Sequence, residues 1–268
     1  MRSQMSSNQP LILLTNDDGF DSQGISALFH QLKEWGQTYI VAPSQEKSAS
    51  SLSLTLHHPL RVKSVRKNIY AVDGTPADCV YLAVQKLLPR YPDLLISGLN
   101  HGPNLGQQDI SYSGTVAGAL QGAFLFIPSI AVSVLPDKKG KYSFDHAAKI
   151  VYALAQKLVE NSLPPGIALN INIPSPPIKG VRLTSLGQKR YNPRVIEKTD
   201  PRGRHYYWIG AGNPQDIGDS NSDVVVAKQG YIAVTPLQKD LTDSASVRSK
   251  TLIKILASIQ DKILGTKK

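Results

Sequence analysis

Short apolar runs alternate with stretches of helical spacing over the first two thirds of the chain. Residues 11–14 form a continuous apolar run that ends in a turn, which is typical of a buried strand, and Ile25, Leu28 and Leu32 follow at helical spacing. Similar patterns predict strands at 39–42, 60–65, 69–72, 94–97, 129–134 and 167–173, and helices at 75–88, from 113 onward and at 144–159. This alternation predicts an α/β fold in which helices cover both faces of a mostly parallel sheet.

Other segments are less regular. Leu52, Leu54 and Leu56 alternate with polar residues, which predicts a further strand of period two. Residues 98–111 are interpreted as a glycine-rich loop. Near the end of the chain, the pattern predicts strands at 224–227 and 231–235 and a terminal helix at 252–264.

The segment 187–223 is polar and basic but carries Tyr206, Tyr207 and Trp208. We expect the region 187–235 to form extended hairpins, and aromatic side chains on a protruding hairpin predict packing against another subunit. The predicted organisation is a loosely ordered tail over 1–9, an α/β core over 10–186, and a C-terminal extension over 187–268 with oligomerisation hairpins and a terminal helix.

Composition narrows the classes of function. The 268-residue chain carries a formal net charge of +10, which favours anionic partners such as phosphorylated metabolites, polyphosphate or nucleic acid. Its one cysteine, Cys79, allows neither an internal disulfide nor a thiolate metal cluster. The N-terminal residues lack the apolar core of a signal peptide, and no long apolar run predicts a membrane helix. We therefore expect a cytoplasmic protein without a membrane partner.

Oxygen donors follow several of the predicted strands. Asn16, Asp17 and Asp18 follow the first strand, a serine-rich loop over 44–51 follows the second, and Asn100 and Asn104 follow a later one. Because ligands bind at the carboxyl ends of parallel strands, these loops are expected to converge. Carboxylate, hydroxyl and amide oxygens suit a hard cation such as Mg²⁺ or Mn²⁺. The alternative is that Asn-Asp-Asp-Gly is only a turn.

A candidate phosphate cradle lies further along the chain. Gly98, with two later glycines, allows the backbone to approach a ligand, and the loop leads to Ser113, Gly114 and Thr115 at a predicted helix start. The alternative is that Ser113 only caps the helix. The spacing matches neither the dinucleotide-binding glycine motif nor the Walker A motif, which disfavours both classes.

A series of motifs along the chain resembles the survival protein SurE family. The resemblance covers roughly residues 11–245 and rests on several motifs in order. They are Thr15-Asn16-Asp17-Asp18-Gly19, Val41-Ala42-Pro43, Ser48 with Ser51, Ser53 and Thr55, Gly74-Thr75-Pro76-Ala77-Asp78-Cys79-Val80, Ser97-Gly98-Leu99-Asn100, Gly102 with Asn104, Ser113-Gly114-Thr115-Val116, Val234-Thr235-Pro236-Leu237 and Asp240-Leu241-Thr242.

The resemblance implies a Rossmann-like three-layer αβα sandwich whose C-terminal extension serves oligomerisation, as a dimer or tetramer. It also implies a divalent-metal phosphatase acting on nucleoside 5′-monophosphates, and on 3′-monophosphates and short polyphosphate. The family's metal ligands fall on Asp17, Asp18, Ser48 and Asn100, so one Mg²⁺ or Mn²⁺ per subunit is expected.

Roles for single residues follow as hypotheses. Asp17 and Asp18 are the candidate catalytic residues, and which of them takes a proton stays open, as does a covalent aspartyl-phosphate. The phosphate or substrate is expected to contact Asn16, Gly98, Asn104, Ser113, Gly114 and Thr115. Ala49, Leu52 and Asp73 depart from the family pattern, as does the stretch 106–113, which is one residue longer than usual. These departures leave the metal ligands in place and bear on substrate preference.

Two other classes of protein are disfavoured. A signalling receiver domain needs a phosphoacceptor aspartate at the end of a later strand, and Asp93 precedes its strand instead. A nucleic-acid-binding protein would fit the net charge, but the chain carries no recognised binding motif, so no dedicated nucleic-acid partner is expected.

Overall fold

The computed structural model describes residues 9–192, 194–210, 212 and 214–263, with side chains described up to Ala257. The tail predicted over 1–9 lies outside the described residues except for Gln9. The chain divides into two compact units, Met1–Leu237 and Gln238–Lys268.

The first unit is built on a nine-stranded sheet. Its strands are β1 (Leu11–Thr15), β2 (Gln37–Pro43), β3 (Val62–Arg66), β4 (Ile69–Val72), β5 (Leu94–His101), β6 (Ser129–Val134), β7 (Ile167–Ile173), β8 (Val181–Leu183) and β13 (Ile232–Gln238). Their order in the sheet is β3-β4-β2-β1-β5-β6-β7-β13-β8. All neighbouring pairs from β4 to β7 are parallel, whereas β3 is antiparallel to β4.

Helices cover both faces of this sheet. They are α1 (Gln23–Leu32), α2 (Pro76–Leu82), α3 (Gly106–Tyr112), α4 (Gly114–Phe124), α5 (Phe144–Asn161) and α6 (Asp223–Lys228), with a π-helical turn (Ala83–Leu87) that extends α2. Ile12 and Leu14 of β1 pack in one cluster with α1 and α5, whereas Leu11 and Leu13 pack in another with α2. Because side chains alternate along a strand, a strand buried on both faces has a continuous apolar sequence. The three-layer α/β sandwich is therefore confirmed.

The start of α2 matches its sequence prediction closely. Thr75 accepts a hydrogen bond from the backbone N–H of Asp78, the Asp78 carboxylate accepts one from the Thr75 N–H, and Pro76 occupies the first turn. This reciprocal capping satisfies two N–H groups that a helix start leaves unpaired.

The strand predicted around Leu52, Leu54 and Leu56 is wrong. The structure has an irregular loop there with all three leucines exposed. The loop is held by α2 and not by a neighbouring strand. The Asp78 carboxylate of α2 accepts a hydrogen bond from the Thr55 N–H (2.9 Å). Period two alone does not make a strand where no partner strand lies alongside.

Two further segments are helical where the sequence patterns predicted otherwise. Residues 224–227, predicted as a strand, belong to α6, and α3 lies within the segment interpreted as a loop. The three valines of α6 favour a strand, but the contacts of Asp223 at the start of the segment favour the helix. The buried Asp223 carboxylate accepts hydrogen bonds from the backbone N–H groups of Gly106 and Gly187, both at 2.8 Å. These long-range bonds hold the start of α6 against Gly106 and Gly187.

Two hairpin-like ladders lie outside the main sheet. β10 (Arg194–Thr199) pairs antiparallel with β11 (His205–Gly210), and β9 (Gln188–Arg190) pairs antiparallel with β12 (Gln215–Ile217). Tyr207 and Trp208 of β11 are each 61% exposed. The predicted hairpins are therefore confirmed at β10–β11, whereas β13, which also belongs to the predicted extension, joins the central sheet. The boundary at residue 187 stays a prediction.

The second unit contains a 3₁₀ turn (Ser246–Arg248) and the helix α7 (Lys250–Ile263), which confirms the predicted terminal helix. Leu252, Ile253 and Leu256 are exposed on α7. Among the residues described, no helix has the length and apolar character needed to cross a membrane.

We predict that Gly24→Ala destabilises the protein by about 1–3 kcal/mol, in the range of an overpacked core. A Cβ at Gly24 in α1 would lie 2.1 Å from the carbonyl oxygen of Leu99 in β5, so helix and strand would have to separate. Glycine to alanine inside an ordinary helix is stabilising, so the sign of the effect is diagnostic. Urea unfolding of both proteins measures it, with Lys33→Ala at the exposed helix end as the control. An equal or higher stability for Gly24→Ala would contradict the close packing.

Candidate active site

The candidate site lies where β1, β2 and β5 end. Thr15 and Ser97 are register partners at the ends of β1 and β5, and the polar loops predicted from the sequence leave the sheet at this edge. The helix α4 starts at the same place, because a Cβ on Gly114 would lie 2.7 Å from the Cβ of Asp17. The N-terminus of α4 therefore faces the first carboxylate.

Asp17 is the buried carboxylate of the site. Its side chain is bonded to the hydroxyl of Thr115, and only 6% of the residue is exposed. Burial raises the pKa of Asp17 from 3.8 to about 6; the hydrogen bond from Thr115 opposes this shift and the negative charge of Asp18 adds to it. A positive charge at this point would relieve both the burial penalty and the repulsion.

Asp18 lies beside the imidazole of His101. The Asp18 Oδ2 and His101 Nδ1 atoms are 3.3 Å apart, and the Asp18 side chain is 17% exposed. Asp18 therefore faces a more open space than Asp17, and the two adjacent carboxylates contact different parts of the fold.

The loop that carries Ser48 is tied to both sides of the site. The N–H of Lys47 donates to the carbonyl of Asp17 at 2.7 Å, and the N–H of Ser51 donates to the carbonyl of Tyr112 at 3.0 Å. Ser48 is exposed, and its hydroxyl donates to Glu46 at 2.6 Å. The backbone bonds therefore bring the Ser48 loop next to Asp17, as the sequence predicts.

Asn100 and Gly98 lie at the end of β5. The amide nitrogen of Asn100 donates to the carbonyl of Gly102 at 2.9 Å, so the side-chain oxygen is the atom suited to a cation. Gly98 has a φ of +141°, and a Cβ there would lie 2.3 Å from the carbonyl oxygen of Val132. Glycine is required at this position by the close approach of β6.

Four of the residues predicted to contact substrate have hydrogen-bond partners within the protein, and the bond of Thr115 to Asp17 is one of these cases. The buried Asn16 amide donates to Gly19 and Ser22, and the Ser113 hydroxyl accepts from the Val116 N–H as the cap of α4.

Asn104 belongs to a separate buried network, in which its side-chain amide donates to Ser133 at 2.8 Å. The backbone carbonyl of Asn104 accepts hydrogen bonds from the side-chain amides of Asn170 and Asn172. Contacts of these residues with a phosphate stay predictions.

Buried polar atoms without a protein partner concentrate at this edge of the sheet. Seven such side-chain atoms occur among the residues described, and five of them lie in or beside the site: Thr15 Oγ1, Asn16 Oδ1, Asp18 Oδ2, Ser50 Oγ and Ser97 Oγ. Asp18 Oδ2 has only the ion-pair contact with His101. Buried oxygens left without donors indicate a place for a cation, a ligand or ordered water.

The donor set fits a hard divalent cation. In the described part of the chain, no cluster of three or more His, Cys, Asp or Glu side chains is arranged for a metal. The two carboxylates would therefore be completed by hydroxyl and amide oxygens, which are the ligands that Mg²⁺ and Mn²⁺ accept.

Sequence reasoning missed two acidic residues that hold the site loops. Asp223 binds the N–H groups of Gly106 and Gly187, as described above. Asp109 of α3 binds Lys189 Nζ and Tyr191 Oη, each at 2.5 Å, and burial together with Asp109 raises the pKa of Tyr191. No local spacing could have indicated these contacts, since their partners lie 36 to 117 residues away.

The fold is a Rossmann-like α/β sandwich whose sheet carries, at its carboxyl edge, two adjacent carboxylates and a group of buried oxygens without protein partners. The model of the family Survival protein SurE matches residues 12–193. This chain belongs to that family.

Curated relatives and a solved structure agree with this membership. The chain is 46% identical over 236 residues to a protein of Syntrophotalea carbinolica named 5′-nucleotidase SurE, which covers 88% of this chain and 94% of the relative. A protein of the same name from Geobacter sulfurreducens is 45% identical, with 88% and 90% covered. The crystal structure of the SurE protein from Aquifex aeolicus superposes with a TM-score of 0.79 at 39% identity and covers 91% of this chain and 100% of its own.

We predict that Asp17 makes the metal-free protein less stable as pH rises from about 4 to about 6. The folded protein holds this proton more tightly than the unfolded chain, so raising the pH through this window favours unfolding. The shift from 3.8 to about 6 corresponds to about 3 kcal/mol at neutral pH. Urea unfolding in EDTA should therefore show Asp17→Asn gaining stability relative to the parent across this window, with a constant difference above it.

Asp21→Asn is the matched control, because Asp21 is an exposed carboxylate in the same loop. The pH dependence of its stability difference from the parent gives the baseline for removing an exposed carboxylate. A pH dependence for Asp17→Asn no steeper than this baseline would contradict the burial penalty assigned to Asp17.

Proposed function

We propose that this chain is a divalent-metal-dependent phosphatase that hydrolyses nucleoside 5′-monophosphates. The observation that carries the proposal is the buried carboxylate of Asp17, next to Asp18 and in contact with the first turn of α4. This arrangement suits a cation and a phosphate side by side, because a helix N-terminus favours anions. The relatives named 5′-nucleotidase SurE support both the reaction and the substrate class.

The proposed metal ligands are Asp17, Asp18, Ser48 and Asn100, around one Mg²⁺ or Mn²⁺ per subunit. Their support is the converging loops and the unpartnered oxygens described above. When bound, such an ion stabilises negative charge on a phosphoryl group and lowers the pKa of water.

The protein groups around the phosphate would complete the stabilisation. The backbone N–H groups of Gly114 and Thr115 lie at the start of α4, and Gly114 leaves room because any side chain would contact Asp17 and Ser50. The catalytic role of Asp17 or Asp18 would be to accept the proton of the attacking water. The alternative is attack by one of the two carboxylates with release of the alcohol, followed by hydrolysis of the aspartyl-phosphate.

We predict that phosphate release from nucleoside 5′-monophosphates requires Mg²⁺ or Mn²⁺ and stops in EDTA. A panel with 3′-monophosphates and short polyphosphate ranks the substrates in the same assay. Asp17→Asn should lose about 100-fold or more of kcat, because it removes one of the two negative charges that hold the cation.

Asp21→Asn again serves as the matched control and should keep the parent rate. Phosphate release that persists in EDTA, or near-parent turnover by Asp17→Asn, would overturn the metal-phosphatase proposal.

We also propose that the chain forms homo-oligomers through the extension predicted over 187–268. The β10–β11 hairpin exposes apolar residues on both strands, including Ile196 at 49% and Ile209 at 82%. Ile196 pairs directly with Trp208, so the two side chains form one patch. Large exposed apolar patches are typical of protein interfaces.

We predict that the parent protein is a dimer or tetramer at micromolar concentration and that Ile196→Glu with Trp208→Glu reduces its mass. Two carboxylates in an apolar interface would lose hydration without gaining a partner. Light scattering after size exclusion measures the mass, and Lys198→Glu on the same hairpin is the charge control. A monomeric parent, or an unchanged mass for the double variant, would contradict the proposal.

A further inference from the structure

A groove of about 380 Å³ runs along α1, beside the candidate active site. One wall consists of α1 residues that share a helix face over two turns, among them Gln23, Ser26 and His30. The opposite wall consists of Tyr142 and Phe144, at the start of α5. All of these residues belong to the first compact unit.

An aromatic cluster connects this groove to Asp18. The rings of Tyr142 and Phe144 stack at 5.5 Å with an angle of 10° between their planes. The His101 ring contacts both, with centroid distances of 5.3 Å to Tyr142 and 4.6 Å to Phe144. The same imidazole lies 3.3 Å from Asp18, so a single ring separates the carboxylate from the aromatic wall of the groove.

We propose that this groove binds the nucleoside part of the substrate, with Tyr142 as the principal ring against the base. The inference rests on the proposed function, because it places the leaving group of the same reaction. The assignment places the phosphoryl group at Asp17 and Asp18, and the nucleoside on the side of His101 that faces Tyr142 and Phe144.

The shape and chemistry of the groove match a nucleoside. Its volume lies within the range of about 300–1,000 Å³ that is typical of small-molecule sites. Tyr142 is half-buried and offers a ring, whereas Phe144 is 7% exposed and mainly supports Tyr142 from behind. Stacking on an aromatic ring tolerates any base, because every base has a π-face.

The groove also carries hydrogen-bonding groups. On the α1 wall, Gln23 and Ser26 carry an amide and a hydroxyl, and on the other wall Asp145 adds an exposed carboxylate at the start of α5. His30 is held at the far end of the groove by a 2.8 Å contact between its Nδ1 and the carbonyl of Ser26. These groups suit ribose hydroxyls and base edges.

The first test separates the nucleoside from the phosphate. Tyr142→Ala should raise KM for adenosine 5′-monophosphate about tenfold, in the range of one base–aromatic stack, with kcat within twofold of the parent. Tyr142→Phe keeps the ring and should retain the parent KM. Glycerol 2-phosphate has no ring, so its kinetic constants should be the same for all three proteins. Equal losses on both substrates, or an unchanged KM for Tyr142→Ala, would overturn the assignment.

The second test needs no catalysis. Ser26→Trp should fill the groove, and calorimetry should then show at least tenfold weaker binding of adenosine than in the parent. Glu34→Trp is the matched control, because its side chain is 86% exposed outside the groove and should leave adenosine binding unchanged. Equal adenosine affinity in the parent and Ser26→Trp would overturn the proposal.

The two proposals can fail separately. A parent protein that releases phosphate from no monoester contradicts the proposed function, while adenosine binding still decides the groove. A parent that hydrolyses nucleotides and glycerol 2-phosphate alike, and binds no adenosine, contradicts the groove alone.

Discussion

The burial of the Asp17 carboxylate is the constraint on which the rest of the site depends. A charged group removed from water is costly unless donors or an opposite charge offset the loss of hydration. Thr115 supplies one donor, but Asp18 adds repulsion, and the pKa of Asp17 still rises to about 6. The burial of Asp17 therefore favours its neutral form unless an opposite charge lies beside it.

Several features of the fold make this burial sterically possible. Gly114 has no side chain because a Cβ would overlap Asp17, and Gly118, one turn later, allows α4 to approach Ser97 and Thr15. The loop after β2 then covers Asp17 from the other side through the N–H of Lys47. Small residues in α4 thus have a packing role, and this role is compatible with the phosphate contacts proposed for Gly114 and Thr115.

The sequence predicted the sheet, most of its helices and the group of loops at its edge, because these depend on local periodicity and strand order. It failed where distant contacts decide the conformation. Leu52, Leu54 and Leu56 alternate as in a strand, but Asp78 and Thr75 bind the loop instead. The three valines of α6 favour a strand, but Asp223 ties that segment to two glycine N–H groups.

The same distinction applies within the site. Asp17, Asp18 and the first turn of α4 were predictable because each follows a strand or starts a helix. The contacts of Asp109 with Lys189 and Tyr191 were not, since the side chains meet only after the chain has folded. Asn104 shows the opposite case: it lies in the predicted loop, yet its amide is bonded to Ser133 in a buried network.

The proposed metal and phosphate end of the site and the proposed nucleoside groove are built in different ways. The first depends on backbone positions and glycines whose neighbours leave no space, such as Gly98 against Val132. The groove is lined by side chains from the exposed surface of α1 and from the segment before α5, where Gln23 and Asp145 can change without moving the sheet. A scaffold that fixes the reacting group while its outer loops and helix faces vary can change substrates without changing its chemistry. Substrate preference in this chain is therefore expected to depend on α1 and the residues around Tyr142, and the reaction itself on the carboxyl ends of β1 and β5.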